Sequence, residues 1–298
     1  MSKLRDYSPL RYPGGKSCLT NFISELAELN GCSGGTYVEL YAGGAGAALN
    51  LLFNGTFEKI HINDFDFNIY SFWYSVINET EDFIKLIQNT PVTIKEWHSQ
   101  KELYSKGKNI SPLELGFSTF YLNRTNRSGI IYKAGPIGGL SQKGNYLINV
   151  RFNKENLIKR IEKIASKKDQ ILLTNEDAAV ILQNIPKFHM ETDAVFLYLD
   201  PPYYKKGKHL YLNNYSHSDH ENLSKKMIDL DPRFKWLISY DNTPEIRKLY
   251  SGFRMSNFDL NYTLQSKRFG SELLVFSDGL RISGQINVNS RKTDLVLM

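Results

Sequence analysis

The sequence predicts an α/β fold: a doubly wound, mostly parallel, Rossmann-like sheet interrupted by an inserted, mainly helical subdomain. Three observations predict it. Short apolar runs end in Gly, Asp or Pro signals, helical patterns separate them, and the alternation breaks once, between about residue 80 and residue 155. The strand candidates are Thr36 to Tyr41, Lys59 to Asn63, Gln170 to Thr174, Ala194 to Leu199, Lys235 to Tyr240 and Leu273 to Ser277. Helices are expected at Ala45 to Phe53, Phe67 to Asn78 and Glu176 to Asn184, and Lys154 to Lys168 is amphipathic. In such a layout the ligand site falls at the carboxyl ends of the strands, near the point where strand order reverses. Inside the break, the glycine-rich stretch Gly129 to Gly144, with Pro136, can be neither a helix nor a central strand and reads as a long loop. The sheet domain is thus expected from residues 1–79 and 156–298, with 80–155 inserted into it.

Hydrophobic residues make up 41% of the 298 and charged residues 23%, enough apolar material for a large core. The two cysteines, Cys18 and Cys32, lie in no C-x-x-C or Cys/His array of zinc spacing, which argues against a disulfide framework or a structural metal. Met1 to Leu10 is charged rather than apolar, and no run approaches the ~18 apolar residues that span a bilayer, so a cytoplasmic location without a membrane partner is expected. The net charge of +6 is unevenly placed. Residues 120–168 carry eleven Lys and Arg against Glu155 and Glu162, a local excess of +9 that leaves −3 for the remainder. A localised excess suits a phosphate backbone. For Lys154 to Lys168, the solvated face of an amphipathic helix accounts for the charge equally well.

Three constellations carry chemistry. The first is Asp200-Pro201-Pro202-Tyr203, where an apolar strand delivers a carboxylate to its carboxyl end and two prolines stiffen the exit. An exocyclic amine on a purine is a poor nucleophile because its lone pair is delocalised. A carboxylate and a nearby backbone carbonyl that accept its two N–H groups would free that lone pair, which is electrostatic catalysis of methyl transfer. Tyr203 offers a face on which a base taken out of a duplex could stack. The second is Tyr37 to Gly46, a strand that ends with Glu39 and Tyr41 and runs through Gly43, Gly44 and Gly46 into a helix, where glycines let a nucleotide-type ligand approach the backbone. Asp64 ends the next strand about twenty residues on, the spacing at which an acid reaches ribose hydroxyls. The third is Arg11-Tyr12-Pro13-Gly14-Gly15-Lys16-Ser17. A P-loop would need glycine at position 10, where Leu10 stands, so the ATP reading fails.

In their order these blocks resemble the Dam-type (D12 class, alpha group) site-specific DNA adenine-N6 methyltransferases. Aromatic-x-Gly-Gly-Lys comes first, then the glycine-rich turn, then an insert headed by Phe120-Tyr121-Leu122-Asn123-Arg124, then Asp-Pro-Pro-Tyr. The resemblance spans nearly the whole chain. It implies a methyltransferase sheet that binds S-adenosylmethionine through Tyr12, Gly14, Gly15, Lys16, Glu39, Tyr41, Gly43, Gly44, Gly46, Asp64 and Asp177, with Asp200 beside the reactive centre. It also implies double-stranded DNA as substrate, base flipping, no metal, and room for a cognate restriction endonuclease as partner. Two departures stand out. Tyr12 replaces the family's usual Trp, and Thr125 to Ile130 is unlike the Asn-Gly-Leu-Cys-Arg pattern associated with GATC recognition.

Base readers are expected in the insert, with Arg124, Asn126, Arg127, Lys133, Gln142 and Asn145 as candidates, since Arg reads guanine and Asn or Gln reads adenine. Phosphate contacts are the competing role for each. His217 and His220 lack a third ligand of metal spacing. Rival functions are N4-cytosine methylation, which shares the chemistry, and a catalytically silent DNA-binding protein on the same fold.

Overall fold

The computed structural model describes residues 7–11, 16–189, 194–205, 215–264, 266–288, 291–294 and 297. Its strands are β1 (Thr36–Glu39), β2 (Lys59–Asn63), β3 (Ile171–Thr174), β4 (Val195–Leu199), β5 (Lys235–Asp241), β6 (Arg254–Leu264), β7 (Ser266–Phe276), β8 (Gln285–Val288) and β9 (Arg291–Asp294). Seven of them form one sheet in the order β3-β2-β1-β4-β5-β7-β6, in which only β7 breaks the parallel run by lying antiparallel to β5 and β6. The sheet is therefore doubly wound, and its order reverses between β1 and β4. β6 is absent from the sequence expectation, and β7 begins seven residues before the expected Leu273. β6 mixes polar and apolar residues and the first half of β7 is mostly polar, so neither stretch presents a continuous apolar run.

The helices are α1 (Thr20–Leu29), α2 (Gly46–Phe53), α3 (Phe67–Asn78), α4 (Thr80–Asn89), α5 (Ile94–Ser105), α6 (Pro112–Thr125), α7 (Lys154–Ala165), α8 (Ala178–Gln183), α9 (Ile185–Phe188), α10 (His217–Ile228) and α11 (Pro244–Leu249). Strand periodicity divides the core. Tyr37, Phe196 and Tyr198 face α1, α2 and α3, whereas Val38, Leu197 and Leu199 face α8, α10 and α11.

The insert does not bury a core of its own. Phe83, Trp97, Phe117, Phe120 and Phe152 join the same cluster as Phe72 and Trp73 of α3, and the Phe72 and Phe120 rings stack with centroids 5.9 Å apart. α6 starts in a capping box formed by Ser111 and Glu114 with Pro112 at its first turn. Gly116 lets α6 press against α3, since a Cβ there would stand 2.5 Å from the Ser71 carbonyl oxygen.

The basic segment is partly structural. Lys154 Nζ donates to the Gln88 and Thr90 carbonyls at the end of α4, Arg160 donates to Ser8 O, and Lys163 lies over the Tyr7 and Phe53 rings. These cations fasten the N-terminal segment and α4 to α7.

Candidate active site

β4 is buried along its whole length and carries Asp200 out at its carboxyl end, next to the point where strand order reverses. The carboxylate is held from two sides. Lys16 Nζ lies 2.9 Å from both of its oxygens, and Ser239 Oγ, on β5, donates to Oδ1 at 2.7 Å. Ser239 is itself hydrogen-bonded to the Tyr198 hydroxyl of β4 at 2.7 Å. Lys16 also donates to Tyr203 Oη at 2.9 Å, and its ammonium stands 5.1 Å from the centre of that ring. The Tyr203 hydroxyl donates to Glu272 Oε1 on β7, and the same oxygen lies 3.6 Å from Lys16 Nζ. Pro201 is buried and Pro202 half-buried. Just beyond, Asp241 at the end of β5 accepts the backbone N–H groups of Tyr204 and Lys205 at 2.8 and 2.9 Å. The tetrapeptide is thus clamped on both sides, with the Asp200 side chain 16% exposed while Lys16 and Glu272 are almost closed off from solvent.

On the other side of the strand-order reversal, Glu39 ends β1 and accepts the Ala48 N–H at 3.0 Å, capping α2 from outside because Ala45 offers no side-chain cap. Ala45 holds φ at +46°, in the left-handed region, so the turn through Gly43 and Gly44 is tight and strained. Trp73 Nε1 donates to the Gly43 carbonyl at 2.9 Å and fixes that turn against α3. Asp64, half-buried at the end of β2, accepts Gly43 N–H at 2.7 Å on one oxygen and Asp66 N–H at 2.9 Å on the other. Burial, with Asp66 close by, pushes its carboxyl up to about 7. Asn63 ties the ends of three strands together, donating to Leu40 O and Glu176 O and accepting from Thr174 Oγ1. Asp177 caps α8 through Ala179 N–H at 2.7 Å, and Tyr41 Oη meets Tyr215 Oη at 2.8 Å. Glu39, Tyr41, Gly43, Gly44, Gly46, Asp64 and Asp177 therefore line up along the carboxyl ends of β1, β2 and β3. Tyr12, Gly14 and Gly15 lie outside the described residues.

Glu39 makes a pH prediction. Burial raises its carboxyl from near 4.5 to about 8, Asp200 adds to the rise, and the Ala48 N–H opposes it. The folded chain therefore keeps a proton that the unfolded chain releases. This contribution to stability is whole below about pH 4.5 and is lost as pH rises through about 8. Glu39→Gln keeps an acceptor for Ala48 and cannot ionise, so it should flatten the fall in Tm over that range. Asp64, shifted in the same direction, accounts for the slope that remains. Melting curves that decline as steeply in the variant as in the wild type would contradict this.

The insert candidates divide. The Asn126 side chain is buried, accepts Trp97 Nε1–H at 2.7 Å and donates to the Ile130 and Ile131 carbonyls. The Gln142 carboxamide donates to the Ile137 and Gly139 carbonyls and accepts Ile148 N–H, organising the loop from within. Arg124 is half-buried and donates to the carbonyls of Arg151 and Pro9. Arg127, Lys133 and Asn145 are exposed on the loop, Lys133 with its ammonium 4.8 Å from the Tyr132 ring centre. His220 is buried with Nδ1 3.0 Å from Tyr240 Oη, and His217 is exposed beside Glu221. Among the described residues, no group of three or more His, Cys, Asp or Glu is placed to hold a metal ion, and no helix is long and apolar enough to cross a membrane.

In the sequence, Lys235 to Pro244, which holds Ser239 and Asp241, reads as a strand entering a turn at the same edge of the sheet as Asp200, but without a contact for either residue. Glu272 and the structural part played by Asn123 were missed. Glu272 gave one weak signal, a lone acid directly before an apolar run. Its register against Asp241 exists only once β7 is paired antiparallel with β5.

No curated protein matches the chain. Among solved structures, the rRNA methyltransferase aviRa from Streptomyces viridochromogenes is similar at 12% identity, over 90% of this chain and 87% of that one, with a TM-score of 0.39. That likeness is too distant to bear on activity. The family described as D12 class N6 adenine-specific DNA methyltransferase matches residues 12–264, which takes in the Gly-Gly-Lys segment, the glycine turn, the insert and Asp-Pro-Pro-Tyr. The chain is an enzyme and belongs to the D12 class N6 adenine-specific DNA methyltransferases.

Proposed function

We propose that the enzyme transfers a methyl group from S-adenosylmethionine to the N6 amino group of an adenine flipped out of a specific duplex DNA sequence. What carries the reading is the Asp200 carboxylate, presented at the strand-order reversal and fixed by Lys16 and Ser239, with Tyr203 directly after it. The donor set suits the cofactor. Asp64 is a half-buried acid at the end of β2 with acceptor capacity beyond its two backbone contacts, as a ribose diol requires, and Asp177 and Tyr41 stand where an adenine ring would lie between β1 and β3. Lys16 and Glu39 would serve the methionine end. The cofactor supplies an electrophilic methyl on a cationic sulfur.

The protein's part is positioning and electrostatics. A carboxylate offers about four acceptor directions. Three contacts, from Lys16 to both oxygens and from Ser239 to Oδ1, hold Asp200 still and leave room for one amine hydrogen. The carbonyl of Pro201 would take the other hydrogen, freeing the lone pair towards the methyl group, and Tyr203 would stack on the base. Residues 80–155 would supply target recognition, with Arg127, Lys133 and Asn145 at the duplex and Arg124 behind them at the backbone.

Sequencing with modification detection on DNA from cells that express the chain tests the specific-sequence reading. One short motif should carry methylated adenine at nearly every occurrence. Methylation scattered without a motif, or none, overturns it.

A further inference from the structure

Glu272 lies outside the residues matched by the family and outside every sequence motif above, yet it faces the reactive centre. It projects from β7 opposite Asp241 of β5, is 2% exposed, accepts the Tyr203 hydroxyl and stands 3.6 Å from Lys16 Nζ. Lys16 is thereby shared between two acids. An ammonium facing Asp200 alone would cancel most of that carboxylate's field. With Glu272 on its other side, Lys16 still holds Asp200 in place while Asp200 keeps more of its negative potential. In a site closed to water, such a charge acts strongly on whatever cation binds beside it.

We propose that Glu272 is a specificity-determining residue, one that makes the pocket favour the cationic methyl donor over its neutral, demethylated product. The inference rests on S-adenosylmethionine being the cofactor. The donor and the product S-adenosylhomocysteine differ by one methyl and one positive charge, so a negative charge acting through Lys16 and Asp200 separates them where shape hardly can. Discrimination of this kind favours exchange of spent product for fresh donor between turnovers.

The test is calorimetric titration of the full chain, without DNA, with S-adenosylmethionine and with S-adenosylhomocysteine. Glu272→Gln keeps the size and an acceptor for Tyr203 but removes the charge. It should shift the ratio of the two affinities about tenfold towards the product, the size expected for one charge roughly 12 Å away at an effective dielectric near 20. Glu272→Asp, which keeps the charge, should hold the ratio within about threefold of wild type, and so should Tyr203→Phe, which removes the hydroxyl contacts with Lys16 and Glu272 but no charge. A ratio unmoved in Glu272→Gln overturns the proposal, as does an equal shift in Tyr203→Phe, which would assign the effect to ring placement. Should Glu272→Gln not fold, the wild type still decides: an analogue with an amine in place of the sulfonium must bind more tightly than S-adenosylhomocysteine, and equal binding overturns the proposal. Wild-type protein that binds neither nucleoside overturns the cofactor assignment, and this inference with it.

Discussion

Asp200→Ala should lower the rate of methyl transfer roughly 10³-fold or more while leaving S-adenosylmethionine binding measurable by calorimetry. The carboxylate is the preorganised acceptor at the site, held by three contacts before any substrate arrives. Its loss removes an interaction that strengthens as the amine becomes a nucleophile, so the defect should fall on kcat more than on KM. Asp200→Asn, which keeps the shape and one acceptor oxygen, should be nearly as inactive because the amide carries no charge. In the alanine variant Lys16 retains Glu272, so the fold should survive, and a melting curve checks this. Transfer at the wild-type rate would remove Asp200 from the mechanism.

The second large effect is on architecture. Asn123, fully buried in α6, accepts Arg11 N–H at 2.7 Å and donates to Arg11 O at 3.0 Å and Gly129 O at 2.8 Å. One carboxamide therefore joins the irregular segment that precedes Gly-Gly-Lys to the loop of the insert. Contact there is close, since a Cβ on Gly129, whose φ is +74°, would stand 2.1 Å from the Arg11 carbonyl oxygen. Asn123→Ala leaves three buried or half-buried backbone groups without this partner and should cost about 3 kcal/mol in chemical denaturation. It should also weaken S-adenosylmethionine binding, because Lys16 is reached only through the tethered segment. A loss under about 1 kcal/mol, with unchanged cofactor affinity, would show that the two regions are held together by other contacts.

The central strands were legible because a strand buried on both faces must be a continuous apolar run that stops where the chain meets the ligand edge. The run before Asp200 shows this, and both it and the alternating Ile60-His61-Ile62-Asn63 before Asp64 end where the observed strands end. β6 and the first half of β7 were not legible, since their residues form no continuous apolar run. The same physics divides the site. Asp200, Asp64 and Glu39 sit at the ends of readable strands, whereas Glu272 depends on a pairing that no local pattern encodes. In the insert, residue type suggested Asn126 and Gln142 as base readers. A carboxamide with two donors and an acceptor serves a glycine-rich loop just as well by satisfying its backbone, and there it does so. The charge excess likewise does two jobs, because Arg124 of α6 and Lys154 and Arg160 of α7 act as donors to backbone carbonyls.

The central claim, that Asp200 and its neighbours direct methyl transfer to the N6 amine of adenine, is tested most directly by mass spectrometry. Unmethylated duplex DNA is incubated with the wild-type protein and labelled S-adenosylmethionine, then digested to nucleosides. The account predicts label in N6-methyldeoxyadenosine and its absence from the same digest made with Asp200→Ala. Label in N4-methyldeoxycytidine, or in no nucleoside, would contradict it.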